Sequence, residues 1–302
     1  MTKYLTTHPQ QIRDGFGAKG IAPTDIRGQH LAEFYALFPR RARYEGEVTE
    51  IALTNQATPP TDAPLIGVIL ETRRHFNLVF AVKQIHRRLG IPIQLFHGPG
   101  NLQFILNSSL KPLIDAGHLV LSQIEADNFY YYDYNHLVTS RRFWDHLIGR
   151  EKILFFQTDS VLCPLSPHKI SDFMEFDYIG SGWNTERYNG MRIHGGNGGL
   201  SLRDWRKSVD CLARFNSDDR HWAEDVYFAL HMDIGGARVA TPADSARFSC
   251  QDSFQGRSFG THKLDNMTPF DRLRLIIYCP TAWRILPRIM KLRSRLSNII
   301  RY

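Results

Sequence analysis

The stretch ILFFQTDSVL, residues 153–162, decides how the chain reads. Apolar residues run unbroken from Ile153 to Phe156, Thr158-Asp159-Ser160 interrupts, and Val161-Leu162 resumes. An unbroken apolar run of this length is the signature of a strand buried on both faces, as in parallel sheets covered by helices. Ligands of such sheets gather outside the carboxyl ends of the strands. Asp159, at one of those ends, therefore either faces a ligand or metal or caps the next turn.

The flanking segments repeat the pattern. LIGVIL (65–70), IPIQLFHG (91–98) and HLVLSQI (118–124) read as further buried strands. NLVFAVKQIHRRLG (77–90) sets apolar residues at helical spacing and stops on Gly90, and NHLVTSRRFWDHLIG (135–149) predicts one helix. Downstream come a helix near PHKISDFM (167–174), a strand at YIGSGW (178–183), a Gly-rich segment leading into LSLR (200–203), and helices over 203–215 and 223–232. Strands alternating with helices predict an α/β domain with a mostly parallel central sheet. Residues 1–61 are polar, carry one helical patch at HLAEFYALF (30–38), and read as an N-terminal extension that closes in the proline-rich TNQATPPTDAP.

Charge is unevenly placed. The formal net charge is +7 over 302 residues. From residue 271 onward eight basic side chains face Asp271 alone, which leaves 29 basic and 29 acidic residues in 1–270. A balanced body argues against a nucleic-acid-binding domain, which needs a basic face for phosphates. Cys163, Cys211, Cys250 and Cys279 are scattered, without a CxxC pair, against structural zinc or a disulfide framework and in keeping with a reducing cytoplasm. The start has no apolar core of a signal peptide, and no run reaches the roughly 20 apolar residues that span a bilayer.

Four clusters carry candidate chemistry. Asp159 is the first. The second is HGGNGGLSLR, which places His194, four glycines and Asn197 before an apolar strand; glycine lets backbone approach a ligand closely, or simply turns. The third is the adjacent pair Glu224-Asp225 at a helix start, where the dipole favours acids and where apolar neighbours would raise a carboxyl pKa toward general-base use. His262 and Lys263 in FGTHK form the fourth.

Taken in order, ETR (71–73), FW (143–144), FQTDS (156–160), YIGSGW (178–183), GNGGLSLR (196–203), EDVYF (224–228) and FGTHK (259–263) resemble an uncharacterised, glycosyltransferase-like bacterial and fungal domain family. The resemblance spans residues 62–264 and extends to nucleotide-sugar glycosyltransferases of the A-type fold, a single α/β/α domain. It implies transfer of a sugar from a nucleotide-diphosphate donor to a glycan or lipid-linked acceptor in surface polysaccharide synthesis. In those enzymes an Asp-x-Asp motif holds Mn2+ or Mg2+ on the donor diphosphate. Gln157-Thr158-Asp159 stands in its place, so the second acid is kept and the first is an amide. The resemblance assigns metal ligation to Asp159 and His262, and places Asp225, or its neighbour Glu224, as base on the acceptor hydroxyl. Glu71, Thr72 and Arg73 would meet the nucleotide, with Arg73 either on its diphosphate or a surface charge at a helix start. Gln157 and Ser160 would line the donor site, Trp183 would either stack on the sugar or belong to the core, and Asn197, Gly198 and Gly199 would lie beneath the sugar.

Rival readings make distinct demands. A sugar nucleotidyltransferase would need a GxGxRL-like phosphate loop after the first strand, which is missing, and a metal-dependent hydrolase would need denser His and Asp. A non-catalytic glycan- or nucleotide-sugar-binding protein fits Gln157. In the tail, residues 265–302, Ile289, Leu292, Leu296, Ile299 and Ile300 share one helical face flanked by Arg288, Lys291, Arg293 and Arg295. That pattern suits an anionic membrane surface, here the inner face of the plasma membrane, or packing on the body or a second subunit.

Overall fold

The strands of the computed structural model are β1 (Leu53–Asn55), β2 (Leu65–Leu70), β3 (Ile93–His97), β4 (Leu119–Ile124), β5 (Lys152–Phe156), β6 (Ser160–Leu162), β7 (Tyr178–Ser181), β8 (Asn197–Asp204), β9 (Ser249–Cys250) and β10 (Gly260–His262). Its helices are α1 (Pro9–Gly17), α2 (Ala32–Tyr35), α3 (Leu78–Leu89), α4 (Leu102–Leu106), α5 (Lys111–Asp115), α6 (Tyr131–Val138), α7 (Arg141–Asp145), α8 (Trp205–Arg214), α9 (Glu224–Ile234), α10 (Pro242–Phe248) and α11 (Pro269–Tyr278). The residues described are 8–36, 53–55, 61–126, 131–183, 191–215 and 223–286. The amphipathic pattern from residue 288 onward lies outside them.

Seven strands form the central sheet in the order β1-β4-β3-β2-β5-β8-β7. β4, β3, β2 and β5 are mutually parallel, while β8 runs antiparallel between β5 and β7, and β1 runs antiparallel on β4. The sheet is thus mostly parallel, as the run of buried strands requires. Period-2 alternation divides each strand between two cores. Ile66, Val68, Ile153 and Phe155 face a layer containing Leu137, Trp144, Cys211 and Tyr227 from α6 to α9. Leu65, Ile69, Leu154 and Phe156 face a layer containing Leu78, Val82 and Ile85 of α3. The result is the expected α/β/α domain. The segment read as an extension supplies Ile12 and Phe34 to the first of these cores and β1 to the sheet edge.

The interrupted stretch is two strands, not one. β5 ends its ladder with β8 at Phe156, after which Gln157 N–H donates to Gly199 O at 2.9 Å and Ser160 N–H to Gln157 O at 3.0 Å. The chain then enters a separate three-stranded sheet, β6-β10-β9, in which Ser160 pairs with His262. Gln84 of α3 clasps β6 with one amide: Nε2 donates to Ser160 O and Oε1 accepts from Leu162 N–H, both at 3.0 Å. Asp159 therefore sits where the backbone leaves one sheet for another.

Other differences are local. The single helix expected over 135–149 breaks into α6 and α7, because Ser140 adopts extended backbone and its Oγ accepts from Phe143 N–H as an N-cap. The helix expected near 167–174 is one 3-10 turn, Ile170–Phe173. Gly198 and Gly199 lie inside β8 instead of preceding it.

Candidate functional site

A cavity of about 730 Å³ opens at the carboxyl ends of β2 and β5. Of the side chains singled out in the sequence, Glu71, Thr72, Arg73, Gln157, Asp159, Trp183, Asn197, Gly199, Glu224, Asp225 and His262 all line it. Asp159 points into this space with its side chain 40% exposed, not into packed hydrocarbon.

One wall is built around His262. Its Nε2 lies 3.3 Å from Asp159 Oδ1 and 3.2 Å from Gln157 Oε1. On the other side of the ring, Nδ1 lies 3.4 Å from Gln251 Oε1, and Gln251 Nε2 is turned toward Asp252. That orientation of the Gln251 amide puts the imidazole proton on Nδ1 and aims the Nε2 lone pair at two oxygens. Three lone-pair donors facing one another need a cation or a proton between them. Nitrogen and oxygen ligands spaced in this way fit a divalent ion such as Mn2+. Burial pulls the Asp159 carboxyl upward, but when Nε2 carries a proton in place of a cation, the charged His262 ring, together with Lys263, outweighs it and holds the Asp159 pKa below the ordinary value. Gly199 makes the wall possible, since a methyl group there would occupy the His262 ring.

The opposite wall is the start of α9. Asp225 Oδ2 accepts from Asn197 Nδ2 at 2.9 Å and from Gly198 N–H at 3.3 Å, and Oδ1 from Val226 N–H at 2.8 Å. Asn197 Oδ1 in turn accepts from Gly199 N–H. Asn135 of α6 caps the helix from outside, its Oδ1 accepting from Glu224 N–H at 2.9 Å, which satisfies one of the first-turn donors. Glu224 has a different partner: Arg203 Nη1 lies 2.6 Å from its Oε2. Arg203 is fully buried, with Phe155, Tyr178 and Phe228 rings 4.3, 5.2 and 5.3 Å from its guanidinium carbon. The close contact is not aligned as a hydrogen bond, and among the described residues neither Nη atom has such a partner. We read it as a Coulombic pair on the 2.6 Å distance. Burial raises the Glu224 pKa, against the opposing pull of Arg203.

Several expectations shift in position. Ser160 does not line the cavity: it is buried, its Oγ donating to Gly199 O at 2.7 Å and accepting from Gln157 N–H at 3.0 Å. Gly198 lies behind the surface, against Glu224 and Arg203. Arg73 is held in a fork on Glu71, with Nε to Oε1 at 2.8 Å and Nη2 to Oε2 at 2.9 Å. That carboxylate already occupies part of the guanidinium expected to meet a diphosphate.

The structure adds Asn101 and Tyr134, which no motif flagged, and an uncommon backbone conformation at Lys263. Asn101 pins the ETR turn, Nδ2 donating to Glu71 O at 2.7 Å and Arg73 O at 3.1 Å while Oδ1 accepts from Gly98 N–H. Tyr134 reaches the cavity and contacts the Gln157 amide. Lys263 lines the cavity too, and its φ of 50° is the one positive value among the described non-glycine residues. Such a conformation costs energy and concentrates at functional sites, a signal visible only in the backbone.

A second grouping, His8, His194 and Asp233, brings three ligand-type atoms within 4.8 Å of one another. Its members are already engaged. Arg13 Nη1 lies 2.6 Å from Asp233 Oδ1, and His8 Nδ1 accepts from Gln10 N–H as the cap of α1. That cap puts the His8 proton on Nε2, 3.0 Å from His194 Nε2, so no lone pair is left there for a metal.

Residues 121–262 match a family model described as "Protein of unknown function (DUF5672)". No curated protein matches the chain. Among solved structures, it is similar to a mannosyltransferase from Pyrobaculum calidifontis in complex with GDP-Man and Mn2+, with 12% identity and a TM-score of 0.38 over 78% of this chain and 67% of that one. A likeness at that identity and score assigns no residue of this chain a role.

Proposed function

We propose that the chain is a glycosyltransferase that moves a sugar from a nucleotide-diphosphate donor to a glycan or lipid-linked acceptor, with residues 62–264 as the catalytic unit. One observation carries the reading. The Asp159–Gln157–His262 triangle and the Glu224–Asp225 pair face each other across a single cavity of about 730 Å³, at the carboxyl ends of parallel strands. Cavities of that size suit a nucleotide-sugar.

Asp159 and His262, with Gln157 beside them, would hold Mn2+ or Mg2+. A bound divalent ion supplies neutralisation of charge on a diphosphate leaving group. Lys263 adds a fixed-sign charge on the same wall. The Glu71–Arg73 turn, tied down by Asn101, bounds the end where the nucleotide enters. Trp183 offers a ring to the sugar. Asp225, oriented by Asn197, takes the proton of the acceptor hydroxyl as that oxygen bonds the anomeric carbon and the bond to diphosphate breaks. Glu224, paired with Arg203, sets the position of the α9 terminus and is a positioning residue. The basic amphipathic segment from residue 288 onward, outside the described residues, is proposed as a peripheral contact with anionic membrane.

Incubation with Mn2+ and a panel of nucleotide sugars should release nucleoside diphosphate. Asp159→Ala should abolish release, and Asp225→Asn should slow transfer by roughly 10²–10⁴-fold while leaving donor binding intact. Sugar binding without turnover would replace this reading with that of a binding protein, and nucleoside triphosphate formed from pyrophosphate would replace it with a nucleotidyltransferase.

A further inference from the structure

α11 leaves an unusual surface. Phe270, Leu273 and Ile277, at positions i, i+3 and i+7, are 69%, 56% and 70% exposed, while Leu275 and Tyr278 of the same helix are buried. Leu165, next to Ile277, and Trp283, in the turn that follows and packs on α11, are each 59% exposed. Leu165 and Ile277 line one open groove with Phe254, Arg257 and Arg274. Arg274 lies over the rings of Phe254 and Phe270, and Arg284 over those of Trp283 and Phe80. Large exposed apolar side chains gathered in one patch mark an interaction surface.

We propose that this face docks on an anionic lipid bilayer. Charge selects that partner. The described stretch 269–286 carries Arg272, Arg274 and Arg284 against Asp271, and the sequence beyond adds five basic residues and no acid. Residues 1–270 are neutral overall, so the entire excess of +7 belongs to this end of the chain. A second copy meeting this face by two-fold symmetry would bring two such charges together. An aromatic and aliphatic stripe rimmed by arginines instead suits insertion at the headgroup boundary, where apolar burial and attraction to anionic lipid act together.

The face lies close to the cavity. Only Lys263 to Thr268 separate His262, on the cavity wall, from the start of α11. Asn77 Nδ2 donates to Arg284 O at 3.1 Å, joining the Trp283 end to the start of α3, where Phe76 is also exposed. Docking would hold the cavity near the lipid surface; the corollary that the acceptor is lipid-linked rests on the transferase reading, whereas docking itself does not.

Full-length protein should float with vesicles of phosphatidylcholine and phosphatidylglycerol, and not with phosphatidylcholine alone. Phe270→Ser with Ile277→Ser leaves the net charge unchanged and changes only exposed positions. It should melt as the parent does and lower vesicle partition by roughly tenfold or more. Brominated phosphatidylglycerol should quench the parent's tryptophan fluorescence, and Trp283→Phe should remove that quenching. Equal flotation of parent and double variant, no flotation of the parent, or a dimer broken by the double variant without vesicle binding would each overturn the proposal. The assay contains no nucleotide sugar, so its failure leaves the transferase reading standing, and failure of donor turnover leaves docking standing.

Discussion

Replacing Arg203 with Met keeps most of the buried stem and removes the guanidinium that faces Glu224 at 2.6 Å. Both partners are shut away from water, so the variant leaves a buried carboxyl without its counter-charge. Removing one member of a buried pair costs about 3–5 kcal/mol. An independent ceiling comes from protonation: neutralising a carboxyl of ordinary pKa near 4.3 at pH 7 costs about 3.7 kcal/mol. Glu224 is already raised by burial, so the variant should take that route. We expect Arg203→Met to lose about 3–4 kcal/mol at pH 7, and less as pH falls, since acid supplies the proton. Adding Glu224→Gln should restore much of the loss. Urea unfolding at pH 7 and pH 5 of the two single variants and the double measures each quantity. A single-variant loss under about 1 kcal/mol, or a double variant no more stable than Arg203→Met, would refute the claim that the pair is a buried charge couple.

Two further outcomes follow from the packing. Gly199→Ala places a methyl where the His262 imidazole stands, so Mn2+ binding followed by electron paramagnetic resonance should weaken roughly tenfold or more, with about 1–3 kcal/mol of stability lost to overpacking; unchanged affinity would remove His262 from the site. His231 is buried neutral, Nδ1–H donating to Tyr227 O and Nε2 accepting from Tyr35 Oη, and burial lowers its pKa to about 4. The unfolded chain, with a pKa near 6.5, binds the proton more readily, so this contribution is intact above about pH 6.5 and is lost as pH falls toward 4. The full loss is about 3 kcal/mol. Unfolding titrations of the parent and His231→Gln across that window should show a shallower slope for the variant; identical slopes would contradict it.

The buried acid and base at Glu224–Arg203 also explain how a charged pair can stand at the end of a hydrophobic helix. All of α9 from Glu224 to Ile234 is buried, and Arg203 extends from β8 under it through an aromatic cage. The pair fixes the α9 terminus in one place, and with it the carboxylate of Asp225.

Much of the architecture was legible in the residues. Unbroken apolar runs such as LIGVIL and ILFF can satisfy their side chains only when covered on both faces, and that local fact carries the parallel sheet and its two helical layers. Polar residues where elements begin or end likewise marked Asp159 after a strand, Asn197 before one and the Glu224–Asp225 pair at a helix start. What the chain could not show along its own length was which of these meet. Gln157 and His262 stand 105 positions apart, and a strand passing between two sheets brings them to 3.2 Å. The same passage buries Ser160 and leaves Asp159 open, although the two are adjacent, because Asp159 belongs to the turn between the sheets while Ser160 is already in the β6 ladder. The strained φ of Lys263 and the turn pinned by Asn101 gave no signal in sequence, since both exist only once distant backbone closes around them. Periodicity is a property of neighbours along the chain; a site is a property of neighbours in space, and topology alone converts one into the other.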